Sequence, residues 1–324
     1  MLKKLNKFVW FFTLFGGDRW RYIKYCSISP VCDKQKALYY KIIIETHSLE
    51  KGLSVAHTRP GFGKSKINYL IDALSKYDVA FGAFPVEKTL GTLQAYYDFH
   101  TQINFEDKIL DKVSQTLKKH EKKVSLNGGL REFEAPLKLG SQKVGSDLLK
   151  SRFSSRVYSE EKLTEQEVEN LVRIAQQAPS QCNRQATKAY FFNDINKIRE
   201  LLSLQAGAGG FNQDVSNLFL ITSELSAWGG AQQRNQPYVD GALFSMALLY
   251  SCHANDIVSC PLNLAITHKT SDQIKKVANV NKDEVLIMMI AVGKPPKDIL
   301  TLKVAKSARR PVSEILVFNG AKNE

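Results

Sequence analysis

One apolar run near the end of the chain restricts the possible folds more than any other feature. Residues 285–292 are all apolar, and Gly293 after them is followed by a lysine and two prolines. An apolar run of this length, bounded by turn residues, is typical of a β-strand that is buried on both faces. The sequence therefore predicts a sheet covered by helices, with the strand at 284–292 in its centre.

The other strand patterns lie in the second half of the chain, whereas the first half has helical patterns. Turn signals bound the apolar and β-branched residues of 188–193, 218–222 and 257–264, which predicts three further strands. Before residue 120, apolar residues recur at helical spacing in four segments. These segments are 34–57, with Gly52 as the predicted C-terminal cap, and 67–77, 89–104 and 108–119.

Glycine-containing stretches separate the two halves. Residues 127–129 and 140–146 interrupt the helical patterns. The length of 324 residues fits about two domains of roughly 150 residues each. We predict a boundary near Gly145, with a helical region at residues 1–145, a second domain at residues 146–324, and an α+β fold class.

Positive charge is concentrated in the first half. The net charge is +13, and residues 1–150 hold 25 Lys and Arg against 15 Asp and Glu, while the rest holds 20 against 17. An acidic partner or an ordinary solvated surface would explain this imbalance. No zinc-finger, homeodomain or aromatic RNA-platform pattern accompanies the charge, so we expect no nucleic-acid partner.

The first residues resemble a secretion signal without meeting its requirements. The apolar run from Phe8 to Phe15 is far shorter than the ~20 residues of a spanning helix, and no small-residue cleavage site follows. Residues 1–24 predict either a peripheral membrane contact or a helix packed on the domain. Five cysteines without a C-x-x-C pair suit a reducing compartment. The predicted location is the cytoplasm, where the protein could also be peripheral to the inner face of the membrane.

The most informative stretch begins with a basic loop. Arg152, Ser154 and Arg156 occupy alternating positions, so an extended backbone would point both guanidinium groups and the hydroxyl to one side. Guanidinium groups in pairs suit the recognition of phosphate or carboxylate. This loop is therefore a candidate anion site.

A capped helix and a second polar loop follow. Thr164 and Glu167 form a capping box, and the next apolar residues recur at helical spacing up to Pro179. Residues 179–185 are rich in amide and hydroxyl groups, which are unlike core residues. Further along, Thr270 and Gln273 predict the start of another capped helix.

In this order, R-x-S-x-R, a capped helix and A-P-S-x-x-N-x-Q resemble the nitroreductase family of FMN-dependent oxidoreductases. The resemblance implies a mixed β-sheet flanked by helices, bound FMN, NAD(P)H as the reductant and a small-molecule electron acceptor. It also implies a homodimer in which both subunits line each flavin pocket, with the apolar helix that starts near Tyr238 in the interface. The flavin carries the chemistry, so no catalytic side chain and no metal are expected.

The resemblance also assigns the cofactor contacts. Arg152, Arg156 and Arg309 would anchor the flavin phosphate, with Ser154 sharing in that role. Asn183 and Gln185 would hydrogen-bond the ring or the ribityl chain. The remaining expected contacts are Phe153, Pro179, Ser180, Pro261, Leu262, Asn263, Leu264 and Ser307.

The chain departs from the family pattern near the reactive edge of the flavin. Many members carry an acidic residue followed by glycine where this chain has Asn263 and Leu264. Backbone N–H groups can still bond the flavin, but a residue other than glycine limits close backbone approach. The alternative function is therefore a flavin-fold scaffold with vestigial turnover, which docks an acidic partner through its basic first half.

Three features of the first half invite functional interpretations. The segment 47–53, H-S-L-E-K-G-L, followed by R-P-G-F-G at 59–63, is similar to longer nitroreductase-like proteins associated with bacterial surface-polysaccharide pathways. Gly63-Lys64-Ser65 mimics the end of a P-loop, but Thr58 stands where that motif needs glycine. His47, Glu50 and His57 are too irregularly spaced for a metal site on one helix face.

Overall fold

The computed structural model describes residues 16–55, 58–120, 127–130, 142–208, 210–297, 304 and 311–319. Residues 16–25 are helical, and four helices follow in the first half: α1 (Lys34–Leu53), α2 (Lys64–Lys76), α3 (Phe84–Gln102) and α4 (Lys108–Lys119). The second half contains α5 (Gln142–Ser151), α6 (Glu165–Ala175), α7 (Ile195–Ser203), α8 (Gln236–Ala254) and α9 (His268–Ala278). Its strands are β1 (Thr187–Phe192), β2 (Asn217–Glu224), β3 (Val258–Asn263) and β4 (Glu284–Gly293). The α+β class is confirmed.

The sheet has the order β1-β2-β4-β3, so β4 is an inner strand, as its apolar run predicts. All three pairings among the described strands are antiparallel. The parallel pairing that a mixed sheet also requires is not among them. β1 and β3 form the two edges of the described sheet.

Helices cover both faces of the sheet. Successive residues of a strand point to opposite faces, so each strand contributes side chains to two cores. Leu218 and Leu220 of β2 face a core formed with α7 and α9, while Phe219 and Ile221 face a second core formed with α6 and α8. This alternation explains why every residue of β2 is buried. The capping box of Thr164 and Glu167 begins α6, as predicted.

Two predicted helix caps are wrong. Gly52 lies inside α1, which ends at Leu53 with Ser54 as its cap. A Cβ atom at residue 52 would lie 2.1 Å from Phe62 Cε2, so glycine is required there by packing and not by the end of a helix. Thr267, not Thr270, caps α9, and its Oγ1 accepts a hydrogen bond from the Thr270 backbone N–H at 3.2 Å.

The helical first half has its own core and also packs against the sheet. Helices α1 to α4 surround a cluster of apolar side chains that includes Ile42, Leu90 and Tyr96. On α1, the Tyr40 hydroxyl donates to Glu224 at the end of β2. The predicted boundary at Gly145 falls within α5, and the division into two domains stays a prediction. None of the described helices is long and apolar enough to cross a bilayer.

Segments 47–53 and 59–63 hold the loops of the first half in place. Lys88, which is buried, donates to both carboxylate oxygens of Glu50 at 2.5 and 2.6 Å. Glu50 Oε1 also accepts from the Gly129 backbone N–H at 3.3 Å, which ties the loop at residues 127–130 to α1. The Gly61 backbone N–H donates to His100 Nε2 at 2.9 Å. These motifs therefore have a structural role, and His57 lies outside the described residues.

His100 should make stability depend on pH. Its buried ring bonds the Tyr96 carbonyl through Nδ1 at 2.8 Å and accepts from Gly61 through Nε2, which fits only the neutral ring. Burial lowers the pKa of His100, and the hydrogen bond to Tyr96 acts in the opposite direction. Because the folded pKa is the lower one, this stabilisation is complete above the ordinary value of about 6.5 and is lost as the pH falls.

We therefore expect the free energy of unfolding to decrease from about pH 7 to about pH 5, and the His100→Phe variant to show a smaller decrease. Urea unfolding of both proteins across this range measures the difference. His253→Phe, which changes a half-buried histidine of the second half, is the control. Equal pH dependence in the wild type and His100→Phe would contradict this role for His100.

Candidate functional site

The basic loop after α5 runs beside the start of the edge strand β3. The Ser155 backbone N–H donates to the Ser259 carbonyl at 2.9 Å, and the Tyr158 hydroxyl donates to the Ser155 carbonyl at 2.6 Å. Ser155 Oγ also donates to the Val157 carbonyl at 2.8 Å and accepts from the Val157 backbone N–H at 3.2 Å. The backbone of residues 152–158 is thus fixed by its own side chains and by β3.

Two arginines of this loop converge near β3. Burial raises the pKa of the Cys260 thiol, and the positive charges of Arg156 and Arg152 act on it in the opposite direction. Both guanidinium groups are therefore close to the same side chain. Arg156 is exposed, while Arg152 Nη1 is buried without a hydrogen-bond partner among the described residues.

This unpartnered nitrogen is the feature of the loop that best fits a cofactor phosphate. A buried donor without a partner costs about 1–3 kcal/mol, and an anion bound there would remove that cost. Phosphate oxygens accept well from guanidinium nitrogens. The environment of Arg152 Nη1 therefore suits a phosphate such as that of FMN, and the roles of Arg156 and Ser154 stay predictions.

Phe153 and the residues at the end of β3 differ in what they can offer a ligand. The Phe153 ring lies edge-on to His253 of α8, with ring centroids 6.0 Å apart. Leu262 is only 5% exposed and belongs to the core, so it can offer only backbone groups. Leu264 packs against the same core, and Pro261 lies on an edge strand, where its missing N–H is tolerated.

Asn263 has an exposed side chain and a backbone carbonyl that is fixed by a hydrogen bond. Its side-chain oxygen accepts from the Ala265 backbone N–H at 3.1 Å, and its carbonyl accepts from Gln205 Nε2 at 2.9 Å. Gln205 is a buried residue that no sequence pattern singled out. Its position shows that the loop after β3 is fixed by the turn that follows α7.

The second polar loop, residues 179–185, has a strained backbone. Cys182, Asn183 and Gln185 have φ values of 55°, 53° and 53°, in the left-handed region that favours glycine. Residues with such backbone angles are common at functional sites, and contacts with the surrounding structure must hold them in place. Here the Gln181 backbone N–H donates to Asp240 Oδ2 at 2.9 Å.

Side chains of the loop brace one another above a small cavity. The Gln185 backbone N–H donates to Ser180 Oγ at 3.1 Å, and Gln185 Nε2 donates to Asn183 Oδ1 at 3.1 Å. Pro179, Ser180 and Gln185 line a cavity of about 120 Å³ with Asp240 of α8. The sequence patterns did not single out Asp240, although an acidic residue in an otherwise apolar helix is a usable signal. The structure shows that this residue is buried.

The predicted contact residues fall into two groups at opposite edges of the described sheet. The basic loop and residues 261–264 belong to the β3 edge, and the loop at 179–185 leads into β1. From the strand order, three inter-strand steps separate β1 from β3, which corresponds to about 14 Å across the sheet. Ser307 and Arg309 lie outside the described residues. No group of metal-ligating side chains occurs in the described ranges.

The stretch that carries both loops matches a known family. Residues 149–219 match the model of the nitroreductase family. The resemblance predicted from the sequence is therefore confirmed over these residues. No curated protein matches the chain.

Several solved structures are similar over about half of this chain. The FMN-dependent nitroreductase of Clostridium difficile R20291 is 16% identical, with 54% of this chain and 99% of that chain covered at a TM-score of 0.45. A nitroreductase family protein of Streptococcus pneumoniae TIGR4 is 17% identical, with coverage of 54% and 99% and a TM-score of 0.46. NfrA2 of B. megaterium is 14% identical, with coverage of 55% and 75% and a TM-score of 0.47.

Proposed function

We propose that this chain is an FMN-dependent NAD(P)H oxidoreductase. The buried, unpartnered Nη1 of Arg152 is the observation that carries the proposal, because it lies in the segment that matches the nitroreductase family. When bound, FMN would supply the redox chemistry by accepting a hydride from NAD(P)H at N5 and passing it to a small-molecule acceptor. The protein's own groups bind and orient.

Each end of the cofactor would have its own set of residues. Arg152, Arg156 and Ser154 hold the phosphate, joined in the proposal by Arg309 and Ser307. Asn183 and Gln185 bond the ring or ribityl chain through side chains that already hydrogen-bond each other. The left-handed backbone of their loop fixes these groups before a ligand arrives, which reduces the ordering cost of binding.

The arrangement favours a homodimer with shared pockets. The two groups of contact residues lie at opposite edges of the described sheet, so a second copy is the simplest source of the missing half of each pocket. Tyr238, Val239 and Leu243 of α8 are 43–49% exposed, which leaves an apolar surface for that copy. Exposed apolar side chains also line the segment at residues 312–318.

Asn263 and Leu264 bear on the choice of substrate. The Asn263 amide is neutral where many family members carry a carboxylate, and its exposed side chain already accepts a backbone hydrogen bond. Backbone N–H groups of the loop after β3 remain able to bond a flavin. We propose that hydride transfer is retained and that the preference for an acceptor differs from that of members with an acidic residue.

The wider role is also a proposal. The cytoplasm, with peripheral membrane contact through residues 1–24 as an addition, suits the cysteine content and the basic first half. An association with bacterial surface-polysaccharide metabolism rests on the resemblance of segments 47–53 and 59–63. In the structure, hydrogen bonds of Glu50 and Gly61 connect both segments to neighbouring parts of the first half.

The test is an absorbance spectrum of the full-length protein, as purified and after incubation with FMN. We expect stoichiometric flavin after gel filtration, and rapid loss of its visible absorbance when NADH or NADPH is added without oxygen. A protein that cannot retain FMN would contradict the cofactor assignment. Retained flavin that neither nucleotide bleaches over minutes would support the scaffold alternative instead.

A further inference from the structure

A groove lies between α1 and residues 226–233, and Arg184 of the loop at 179–185 is part of its lining. Its volume is about 700 Å³, and its walls come from α1, from residues 27–28 and from residues 226–233. The described residues that line it include three cationic side chains, Lys34, Lys41 and Arg184, and no acidic one. The lining is therefore positive, although one of the three cations, Lys41, already pairs with Glu45 of α1 at 2.6 Å.

Arg184 is the deepest of these cations. It is 5% exposed, its Nη1 donates to Gln181 Oε1 at 2.9 Å, and its buried Nε has no hydrogen-bond partner among the described residues. The guanidinium group stacks on the Trp228 ring, 4.8 Å from the ring centroid. Amides and an aromatic ring thus surround a charge that usually requires a carboxylate or phosphate when buried.

No described carboxylate forms an ion pair with Arg184. Asp240 is the carboxylate that acts on the pKa of Arg184, and its two oxygens already accept from the Gln181 backbone N–H and from Gln236 Nε2. Removing a guanidinium group from water without an ionic partner is costly, and burial accordingly lowers the pKa of Arg184. An anion from solution would compensate this charge.

We propose that the groove binds a small molecule through a phosphate or carboxylate group placed against Arg184. Lys34 and Lys41, both exposed, lie at the rim and would attract the anion. The depth of Arg184 favours a small ligand over a macromolecular surface. This site is distinct from the predicted phosphate clamp, which lies at the β3 edge, and it does not require bound flavin.

Isothermal titration of the full-length, FMN-saturated protein with pyrophosphate, and separately with citrate, tests the site. We expect saturable binding of at least one anion and a change in tryptophan fluorescence, because Trp228 contacts Arg184. Pyrophosphate alone would indicate a phosphate-bearing ligand, and citrate alone a carboxylate-bearing one. No saturable binding of either anion would overturn the proposal.

Variants locate the binding. Arg184→Gln should weaken it about tenfold or more, which is the effect of losing a charge-assisted hydrogen bond. Arg234→Gln changes an exposed arginine of the neighbouring loop, outside the groove, and should bind normally. If Arg184→Gln does not fold, the double variant Lys34→Gln with Lys41→Gln replaces only exposed side chains and should still weaken binding.

A last variant separates this site from the phosphate clamp. The double variant Arg152→Gln with Arg156→Gln should retain anion binding in the groove even if it retains no FMN. Binding that is lost in this variant but kept in Arg184→Gln would belong to the clamp and would overturn the proposal.

Discussion

Replacing Arg152 and Arg156 together by glutamine should lower the affinity for FMN by about 3–6 kcal/mol, at about 1.5–3 kcal/mol for each charge-assisted hydrogen bond. The chain should still fold, because Arg152 Nη1 has no hydrogen-bond partner to lose among the described residues and Arg156 is exposed. Removing the buried charge should leave the cofactor-free protein as stable as the wild type or more so. Flavin fluorescence titration and urea unfolding measure the two effects.

The matched control for this experiment is Arg173→Gln. Its side chain is 68% exposed on α6 and pairs only loosely with Glu169, at 3.9 Å. We expect unchanged affinity for FMN in this variant. Equal affinity in the double variant and in Arg173→Gln would rule out the phosphate assignment.

Mixed dimers extend the same experiment to the shared pocket. Chains that carry Arg152→Gln and Arg156→Gln are coexpressed with chains that carry Ser180→Ala and Gln185→Ala. If each pocket uses the basic loop of one subunit and the polar loop of the other, random pairing restores about a quarter of the pockets. A pocket built within one subunit would give no restoration.

The second large effect concerns stability and comes from Glu284. This carboxylate is fully buried and accepts from Lys188 Nζ at 3.0 Å, Thr222 Oγ1 at 2.6 Å and Tyr190 Oη at 2.9 Å. Glu284→Ala leaves Lys188 with less compensation and the two hydroxyl groups without an acceptor. We expect the free energy of unfolding to fall by about 3–6 kcal/mol, at about 1.5–3 kcal/mol for each of the two hydroxyl hydrogen bonds to this carboxylate. Lys188, which is 40% exposed, keeps Glu224 as a partner.

Urea unfolding followed by circular dichroism checks this value. Glu169→Ala removes a carboxylate that is 64% exposed, and it should change the free energy of unfolding by less than about 1 kcal/mol. A Glu284→Ala variant as stable as the Glu169→Ala control would show that the buried cluster does not hold the end of the sheet together.

Features determined by neighbouring residues were predictable from the sequence. The capping box at Thr164 and Glu167 and the apolar run of β4 are local patterns, and both elements form where those patterns lie. Helix α4 has the predicted bounds, Lys108–Lys119. The predicted start of α3 at residue 89 is five residues too late, since the helix begins at Phe84 with Pro85 in its first turn, where proline is tolerated.

Features that join distant segments could not be predicted. Gly52 was interpreted as a cap because nothing in the sequence connects it with the Phe62 ring that packs on it. The alternation of Arg152, Ser154 and Arg156 indicated an anion loop, but not that this loop and residues 179–185 lie at opposite edges of the sheet. Arg184 looked like one more polar loop residue, because its burial against Trp228 depends on tertiary packing.

The strained loop at 179–185 also constrains the order in which the protein folds. Its left-handed residues are unfavourable in an isolated peptide, and the hydrogen bond from Gln181 to Asp240 joins residues 59 positions apart. Contacts of such sequence separation form only after much of the chain has been brought together. A folding intermediate without α8 would therefore lack the contact that holds the ligand loop, so binding competence should not arise before α8 has packed in place.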